Sequence, residues 1–471
     1  MTMEPPTEQH QIPGQEHAGH GQQGPPVTHE LPSQILCGGC GTVIDPAEPY
    51  PFRCPRTGDG GDHVLRRELD VARLEFPLED PEPNPFLRWR RLFHSYHLAT
   101  AHGMADDAYV ELVRELDDQV AKVDGHGFVV TAFEAATALS DRLATGAPIW
   151  VKDETGNVSG SHKARHLFGL LVHLEVVDRL GMTEGTPPPL AIASCGNAAL
   201  AAAVVAAAGH RRLLVFVPTD AEPAVVERLQ SLGAEITVCP RIEGVAGDPT
   251  YHRLQKTIAD GALPFTCQGN ENGLAIEGGE TLGYEIAAAL AGKARLDHVV
   301  IQVGGGALAS AVAQGLSEAA AFGVLSAMPS VHTVQTAGAW PLARAFQKVV
   351  GHLPDAPGPK EIRAALSYAA SHRSEFMWPW ETVPHSLAHG ILDDETYDWL
   401  ALVEAMLVTG GHALVVGEDE IAEANAIGVE ATGIEVDPTG SAGLAGLIQL
   451  SRKGIIAPGE QSAVLFTGAR R

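Results

Sequence analysis

Lys163 is the residue whose place in the sequence most directly suggests chemistry. It follows an apolar run that ends at Lys152 and a loop of small polar residues. It stands in the first turn of a predicted helix, with Ser161 as its candidate N-cap. A lysine is electrostatically disfavoured beside the positive end of a helix. The helix end and partial burial favour the neutral form of an amine, which a lysine needs to form a Schiff base or transfer a proton. The alternative is a side chain that merely extends to solvent.

A second candidate site is the sequence Ser194, Cys195, Gly196 and Asn197, between a short apolar run and an alanine-rich helix. Small residues leave backbone N–H groups free at the helix start, which suits a carboxylate or a phosphate. We expect the Asn197 side chain to reach a ligand oxygen, although a plain turn with an Asn or Ser cap is the alternative. Cys195 is predicted to be a packing residue rather than a nucleophile, since no obvious His or acid accompanies it.

A third candidate is Gly304, Gly305, Gly306 and Ala307, which connect an apolar strand to a helix. The backbone amides of such a loop form a phosphate cradle. The segment also meets the dinucleotide pattern Gly-x-Gly-x-x-Ala. The next predicted strand ends at Gln335 without an Asp or Glu to hold a ribose, so we reject the dinucleotide interpretation.

The elements that must position these residues alternate between strands and helices, which is typical of an α/β protein with a mainly parallel sheet. Ser441 follows a further predicted strand, 433–436, and either presents its hydroxyl there or acts as an N-cap. Ligands of such folds bind beyond the carboxyl ends of the strands, where all four candidates fall. The predicted buried strands are 149–152, 190–193, 213–217, 236–239, 299–303 and 331–335, and the predicted helices include 198–208, 223–232, 279–290, 308–320 and one starting near Asp393.

In this order the four motifs resemble the tryptophan synthase β-like superfamily of pyridoxal phosphate (PLP) enzymes, also called fold type II. The resemblance runs from about residue 148 to 467. The threonine synthase and serine/threonine dehydratase branch carries a Ser-Phe-Lys-x-Arg element, a Ser-x-Gly-Asn loop, a glycine-rich phosphate loop and a late Ser, Thr or Cys. The matching positions are 161–165, 194–197, 304–308 and Ser441.

The resemblance implies a role for each motif. Lys163 would form the internal aldimine and shuttle the α-proton, and Asn197 would contact the ring hydroxyl of the cofactor. The amides of residues 304–307 would hold its phosphate, and Ser441 would face its pyridine nitrogen. Ser194 to Asn197 would grip the substrate carboxylate. The chain departs from the pattern at His162, where the family has Phe, so this residue is predicted either to stack on the cofactor, to act as an acid or base, or only to fill space.

The fold implied by the resemblance has two domains of parallel-rich twisted sheets covered by helices, with the cofactor in the interdomain cleft. We expect a large domain of 76–154 and 263–471, a small domain of 155–262, a Cys-containing segment of 34–75 and a disordered tail of 1–33. The tail is rich in Pro, Gly, Gln and His and lacks apolar periodicity.

The expected activity follows from the hydroxyl at the pyridine nitrogen, which leaves the ring a weaker electron sink than a carboxylate would. This favours a PLP-dependent lyase that carries out α,β-elimination or β-replacement on a small amino acid such as serine or threonine. Threonine synthase-like γ-replacement on O-phosphohomoserine is the alternative, and a non-catalytic interaction module with this fold is an alternative of another class. The acids between Glu277 and Glu285 resemble a dehydratase segment, or else form a solvated helix face.

A cysteine cluster precedes this region. Cys37 and Cys40 have chelate spacing and Cys54 follows, but Thr57 stands where the partner of a second Cys-x2-Cys pair would fall. His63 would then complete the shell. The segment is either a structural zinc ribbon or a ribbon that has lost its metal.

Composition limits the partners. The chain has 471 residues, with 32 Lys plus Arg against 58 Asp plus Glu, and a formal charge of −26. This charge argues against nucleic acid and anionic membrane. Six cysteines in a chain this long fit a reducing compartment, and no apolar stretch reaches membrane-spanning length. We therefore expect a cytoplasmic homodimer that binds a small amino acid.

Overall fold

The computed structural model describes residues 30–241 and 247–470, so most of the predicted tail lies outside the described residues. Within them the chain forms twelve strands and sixteen α-helices. The strands are β1 (Ser33–Cys37), β2 (Leu65–Leu69), β3 (Phe133–Ala135), β4 (Ile149–Asp153), β5 (Leu190–Ala193), β6 (Leu213–Val217), β7 (Glu235–Val238), β8 (Leu263–Pro264), β9 (His298–Gln302), β10 (Ser330–Thr336), β11 (Ala413–Val416) and β12 (Ser462–Phe466).

The helices alternate with these strands along most of the chain. They are α1 (Pro85–Arg88), α2 (His94–Ala101), α3 (Asp106–Asp124), α4 (Thr137–Leu143), α5 (Lys163–Arg179), α6 (Asn197–Ala208), α7 (Pro223–Ser231), α8 (Pro249–Ala259), α9 (Ala275–Leu290), α10 (Ala307–Ala321), α11 (Pro341–Val350), α12 (Pro359–Ser371), α13 (Arg373–Phe376), α14 (Trp399–Thr409), α15 (Glu418–Thr432) and α16 (Ala442–Arg452).

Two parallel sheets carry the site. The larger has the strand order β11-β10-β9-β12-β4-β3 and is parallel except for β3, and the smaller has the order β7-β6-β5-β8 and is parallel throughout. A separate antiparallel pair, β1 and β2, lies near the N-terminal end of the described chain. The expected α/β architecture with parallel sheets covered by helices is confirmed.

The large sheet is buried on both faces because helices cover each of them. Val299 and Ile301 of β9 pack in one hydrophobic cluster with α9, α10 and α14, whereas Val300 packs in another with α15 and α16. Successive strand residues point to opposite faces, so β9 and β12 need apolar residues throughout rather than alternation. This continuous apolar run made β9 predictable from sequence, whereas β12 was not among the predicted strands.

Four sequence expectations were wrong. The strand β7 lies at the edge of the small sheet and is largely exposed, not buried. Residues 433–436 form no strand, only a bridge between Val436 and Ala469. Ser161 is not the N-cap of α5, since the helix begins at Lys163 with His162 in the cap position. The helix expected near Asp393 begins instead at Trp399, after a covering loop.

The described residues contain no helix that is both long enough and apolar enough to cross a membrane.

Candidate active site

The residues after β12 form the point at which the sequence motifs meet. Ser161 bridges to Gly468, and the His162 backbone N–H donates to the Thr467 carbonyl at 3.4 Å. The Asp437 N–H donates to the Gly468 carbonyl at 3.0 Å. Gly468 is required there: a Cβ would lie 2.9 Å from an Asp437 carboxylate oxygen and 3.2 Å from the Asn197 side-chain nitrogen. The lysine segment, the Asn197 side chain and the loop before Ser441 therefore surround one backbone turn.

Lys163 is half-buried and is the first residue of α5. Two residues later, the Arg165 side chain is fully buried and fixes this end of the helix. Its guanidinium donates to both oxygens of Glu154 at 2.8 and 2.9 Å and to Glu285 at 2.5 Å. The pairing is bidentate on Glu154, which gives it a defined geometry. Arg165 thus positions the lysine without facing the site itself.

The acids of α9 are not a solvated face, so that alternative was wrong. Glu277, Glu280 and Glu285 are 4%, 1% and 3% exposed. Burial alone would raise the pKa of Glu285, but the charges of Arg165 and Lys152 lower it overall. These buried pairs hold α9 against α5, and breaking one would leave an uncompensated buried charge.

Residues 194–197, which we name the asparagine loop, connect β5 to α6 and remain open. Gly196 is exposed, and a Cβ added to it would meet nothing within 4 Å. Among the described residues, no side chain caps α6, whose first N–H groups have no intrahelical acceptor. The Ser194 hydroxyl accepts only from the Gly196 N–H at 3.4 Å within this loop. The loop presents amide donors to solvent beside Asn197, as predicted from sequence.

Cys195 sits in an acidic surrounding. Burial raises the pKa of its thiol, and the charges of Asp220, Asp248 and Glu222 raise it further. A thiol held in its protonated form is a poor nucleophile. This agrees with its interpretation as a packing residue.

Residues 304–307, the glycine cradle, connect β9 to α10 and are covered by residues 391–398, the cover segment. A Cβ on Gly304 would overlap the Asp393 carboxylate, and one on Gly305 would lie 2.8 Å from the Tyr397 ring. Gly306 has φ of +111°, a conformation that L side chains rarely adopt. All three glycines are therefore needed for this close backbone approach.

The cover segment orients the peptides of the cradle. The Thr396 hydroxyl donates to the Gly304 carbonyl at 2.9 Å, and the Asp398 N–H donates to the Gly305 carbonyl at 3.2 Å. The Gly305 N–H also lies close enough to the Asp393 carboxylate to lower its pKa in part. Two carbonyls of the cradle are thus bonded to the cover segment, and its backbone amides suit an anionic group.

Two acids of the cover segment, the partly buried Asp393 and the buried Asp398, lie within electrostatic range of Lys163. Burial raises the pKa of Asp393, although the Lys163 charge and the Gly305 N–H lower it in part. Burial and the neighbouring Asp62 raise the pKa of Asp398 to about 8, against a smaller lowering by Lys163. One Asp398 oxygen, Oδ2, has no hydrogen-bond partner among the described residues.

Ser441 is fully buried at the N-cap position of α16 but does not cap it with its side chain. Its hydroxyl donates to the Asp437 carbonyl at 3.1 Å and accepts from the Asn425 amide at 2.9 Å. Gln302, at the end of β9, donates to the Gly440 carbonyl at 2.8 Å and so ties this loop to the strand that leads into the cradle. Ser441 is a neutral hydroxyl in a fixed position.

His162 is a neutral ring at the start of the lysine helix. Burial lowers its pKa well below the usual value, and the nearby Lys163 charge adds to this. Its Nδ1 lies 3.3 Å from the Thr467 carbonyl, and its buried Nε2 has no partner among the described residues. Burial likewise lowers the pKa of His166 to about 3, so neither ring is protonated at neutral pH.

The family described as "Pyridoxal-phosphate dependent enzyme" matches residues 127–468. This chain belongs to that family. The match includes all four motifs and leaves the cysteine segment outside it. The resemblance drawn from the sequence is thereby confirmed.

Individual relatives include a threonine synthase and a serine dehydratase. The threonine synthase of Methanocaldococcus jannaschii is 25% identical over 322 residues, which cover 68% of this chain and 69% of that protein. The L-serine dehydratase of Saccharomyces cerevisiae is 29% identical over 211 residues, covering 43% of this chain and 60% of that protein. Threonine deaminase isoform 2 of Solanum lycopersicum, in its processed form, has a TM-score of 0.55 at 18% identity and covers 78% of this chain and 91% of that one. That likeness shows the fold alone.

The site residues fit the family's cofactor. The glycines of the cradle permit the close backbone approach that a phosphate requires. Lys163, Asn197 and Ser441 are brought to the same end of the two sheets by the turn at Gly468.

Sequence reasoning missed the residues that hold the site together. Arg165 lay within the lysine motif, but neither Glu154, in a polar loop, nor Glu285, in the dehydratase-like segment, could be recognised as its partner. Gln302 is a polar residue at the end of an apolar strand, and that position could have singled it out. The cover segment had no signal, because it is about 90 residues from the cradle and lacks periodicity.

Proposed function

We propose that this protein is a PLP-dependent lyase that eliminates water from a small hydroxy amino acid such as serine or threonine. The cofactor supplies the electron sink that stabilises negative charge at the α-carbon. Lys163 would hold the cofactor and then accept the α-proton at Nζ. The amides of the asparagine loop would bind the substrate carboxylate, and the Asn197 side chain would orient the ring hydroxyl of the cofactor.

The observation that carries this proposal is the charge beside the open loop. The Cys195 thiol in that loop feels the negative charges of Asp220, Glu222 and Asp248. Asp394 in turn feels the charges of Asp248 and of the arginine Arg241. A phosphorylated substrate brings a dianionic group close to these acids, and like charges repel more strongly where water is partly excluded. An uncharged hydroxyl leaving group meets no such repulsion.

The threonine synthase-like alternative, γ-replacement on O-phosphohomoserine, rests on a different observation. The M. jannaschii threonine synthase aligns with more of this chain than the yeast serine dehydratase does. Against it stand the acids just described. A non-catalytic role would not explain why Lys163, Asn197 and Ser441 lie at the same end of the two sheets.

Cofactor binding is tested by the visible absorbance of the purified chain after PLP is added. We expect a band in the unaltered protein and in the surface-lysine control Lys256→Ala, and none in Lys163→Ala. Lys163→Arg keeps the charge and should also lack the band. A band of equal intensity in Lys163→Ala would overturn the role of this lysine.

The reaction is tested by incubation with serine, threonine and O-phosphohomoserine in parallel. Release of a 2-oxo acid from the first two supports the proposal, whereas release of phosphate from the third identifies the threonine synthase-like alternative. No turnover of any of the three, with the absorbance band intact, would reject both activities and leave cofactor binding standing.

We also propose a cytoplasmic homodimer. The low cysteine content and the acidic surface support a reducing compartment and good solubility. Light scattering coupled to size-exclusion chromatography tests the dimer, and cell fractionation tests the location.

A further inference from the structure

Four side chains outside the catalytic region converge in the N-terminal part of the described chain. The sulfurs of Cys37, Cys40 and Cys54 and a ring nitrogen of His63 all lie within 4.8 Å of one another. They come from three separate stretches, so no single turn brings them together. We name these four residues the cysteine cluster.

We propose that the cysteine cluster is a closed structural site for one Zn²⁺. The Cys40 and Cys54 sulfurs are 3.7 Å apart, and the Cys37 sulfur is 3.5 Å from Nδ1 of His63. Tetrahedral zinc with its usual bond lengths separates two sulfurs by about 3.8 Å and a sulfur from a nitrogen by about 3.5 Å. These two edges match those of a tetrahedral zinc site, and the remaining pairs of ligand atoms lie within 4.8 Å.

The surroundings of the sulfurs fit thiolate ligands. The Cys40 N–H points to the Cys37 sulfur at 3.4 Å, and the Arg56 N–H points to the Cys54 sulfur at 3.5 Å. Backbone donors of this kind stabilise negative charge on sulfur. Cys37 and Cys54 are 0% and 2% exposed. Without a metal, these buried sulfurs would not use their capacity to act as ligands.

The histidine is oriented as a metal ligand is. Nε2 of His63 lies 2.7 Å from a carboxylate oxygen of Asp59, which leaves Nδ1 to face the sulfurs. Metal-binding histidines commonly donate their other N–H to a carboxylate, which fixes the tautomer and strengthens the ligand. Asp59 is itself held by the Gly61 N–H at 2.9 Å.

A disulfide and simple apolar packing both fit the cluster less well than a metal does. A disulfide requires sulfurs about 2.05 Å apart, and all three cysteines are free. Simple apolar packing would not orient a histidine and two backbone N–H groups toward the sulfurs. The local fold also benefits from a metal, because β1 and β2 form only a two-stranded pair, which is marginal on its own.

Zinc content of the full chain tests the proposal. After dialysis against metal-free buffer, mass spectrometry of the metal should find about one zinc per chain. Cys54→Ser and His63→Ala should lose it. Cys239→Ser, which removes a buried cysteine elsewhere, should retain it. His63→Cys should also retain zinc because it restores a fourth ligand, an outcome that a packing role for His63 does not predict.

A measurement on the unaltered protein covers the case in which a variant fails to fold. A thiol-reactive mercurial should release one zinc per chain as the three thiols of the cysteine cluster react, and a chromogenic chelator follows the release. Absence of zinc from the purified chain would overturn the proposal. So would equal zinc in the unaltered protein and Cys54→Ser, which would place the metal on other residues. A mass 2 Da lower without reductant would indicate a disulfide and would overturn it as well.

Discussion

The asparagine loop and the glycine cradle share one sequence design but differ in how the rest of the chain covers them. Each follows a buried parallel strand, consists of small residues and leads into a helix without a side-chain cap. Gly196 of the first has open space around it, whereas Gly304, Gly305 and Gly306 of the second all contact the cover segment closely. The same local pattern therefore produces one exposed set of amides and one enclosed set.

The difference separates two kinds of ligand. An exposed set of amides suits a molecule that enters and leaves on every turnover, since little must move to admit it. An enclosed set, whose Gly304 and Gly305 carbonyls are bonded to Thr396 and Asp398, suits a resident group that stays bound. The comparison supports the proposal that the asparagine loop binds the substrate carboxylate and the cradle binds the cofactor phosphate.

We expect the largest effect on the enclosed loop from a change at Gly306. Replacing it with alanine places a Cβ 2.9 Å from Cβ of Asp398 and forces an L residue to adopt φ of +111°. We expect Gly306→Ala to weaken cofactor binding about 100-fold, since strain and displacement together reach about 3 kcal/mol. Titration of the visible absorbance with PLP measures the affinity.

The matched control for that prediction is Gly196→Ala in the open loop. With φ of −125° and no atom near its Cβ, it should change both the cofactor affinity and the free energy of unfolding by less than about 0.5 kcal/mol. If the two alanine variants lost cofactor affinity equally, the distinction between an enclosed and an open loop would be wrong.

A second substitution tests the role of the asparagine loop. Asn197→Ala removes a side-chain donor but leaves the cradle intact, so the cofactor should remain bound. A lost hydrogen bond to a charged partner costs about 1.5–3 kcal/mol, and we expect kcat/KM to fall about 30-fold. Steady-state kinetics with serine and the absorbance band are measured on the same preparation. Loss of the band with unchanged kinetics per bound cofactor would contradict the assignment.

The two loops also show what the sequence alone can predict. Both were recognisable because their chemistry is local: an apolar strand, a few small residues and a helix are contiguous in the chain. The fold class followed from the same alternation, and the four motifs in order identified the family. Their roles as donors could be stated before any distance was known.

The covering could not be predicted, because it depends on contacts between distant parts of the chain. The cover segment has no periodicity, and we expected a helix near Asp393 where the chain instead forms a loop of bends and turns over Gly304. The burial of Glu285 was left open for a related reason: its partner Arg165 lies 120 residues away, and an acid normally indicates solvent. Long-range ion pairs leave no local pattern.

A third prediction concerns pH and the enclosed loop. Asp398, beside Gly306, has a pKa raised to about 8 by burial and by Asp62, with Lys163 opposing the shift. Below that pH the carboxyl is neutral and tolerates a phosphate in the cradle. Above it the carboxylate repels the phosphate, so cofactor affinity should fall about eightfold between about pH 7.5 and 9.

The control for this pH dependence is Asp398→Asn, which keeps the shape of the side chain and cannot ionise. Its cofactor affinity should be flat where that of the unaltered protein falls. A decline of equal size in the variant would assign the titration to another group. The open loop should contribute nothing to this profile, because its residues hold no phosphate.

The smallest expected effect links the cysteine cluster to the enclosed loop. Asp62, the buried neighbour of His63 in the chain, accepts a hydrogen bond from the Trp399 indole at 2.8 Å. Asp398, the residue before Trp399, donates its backbone N–H to the Gly305 carbonyl at 3.2 Å. If zinc fixes the loop that carries Asp62, its removal should loosen the cover segment and weaken PLP binding about threefold, a coupling of roughly 0.7 kcal/mol.

Trp399→Phe provides the test of that link, because it removes the indole N–H while keeping an aromatic ring in the core. In the unaltered protein, chelation of zinc should lower cofactor affinity, whereas in Trp399→Phe the affinity should be the same with and without the metal. The four measurements form a thermodynamic cycle, so the interaction is obtained as a difference that does not depend on how much either change destabilises the fold. If chelation lowers cofactor affinity as much in Trp399→Phe as in the unaltered protein, the metal acts on the cradle by another route. If chelation affects the asparagine loop as much as the cradle, the metal acts on the whole fold rather than on the enclosed loop.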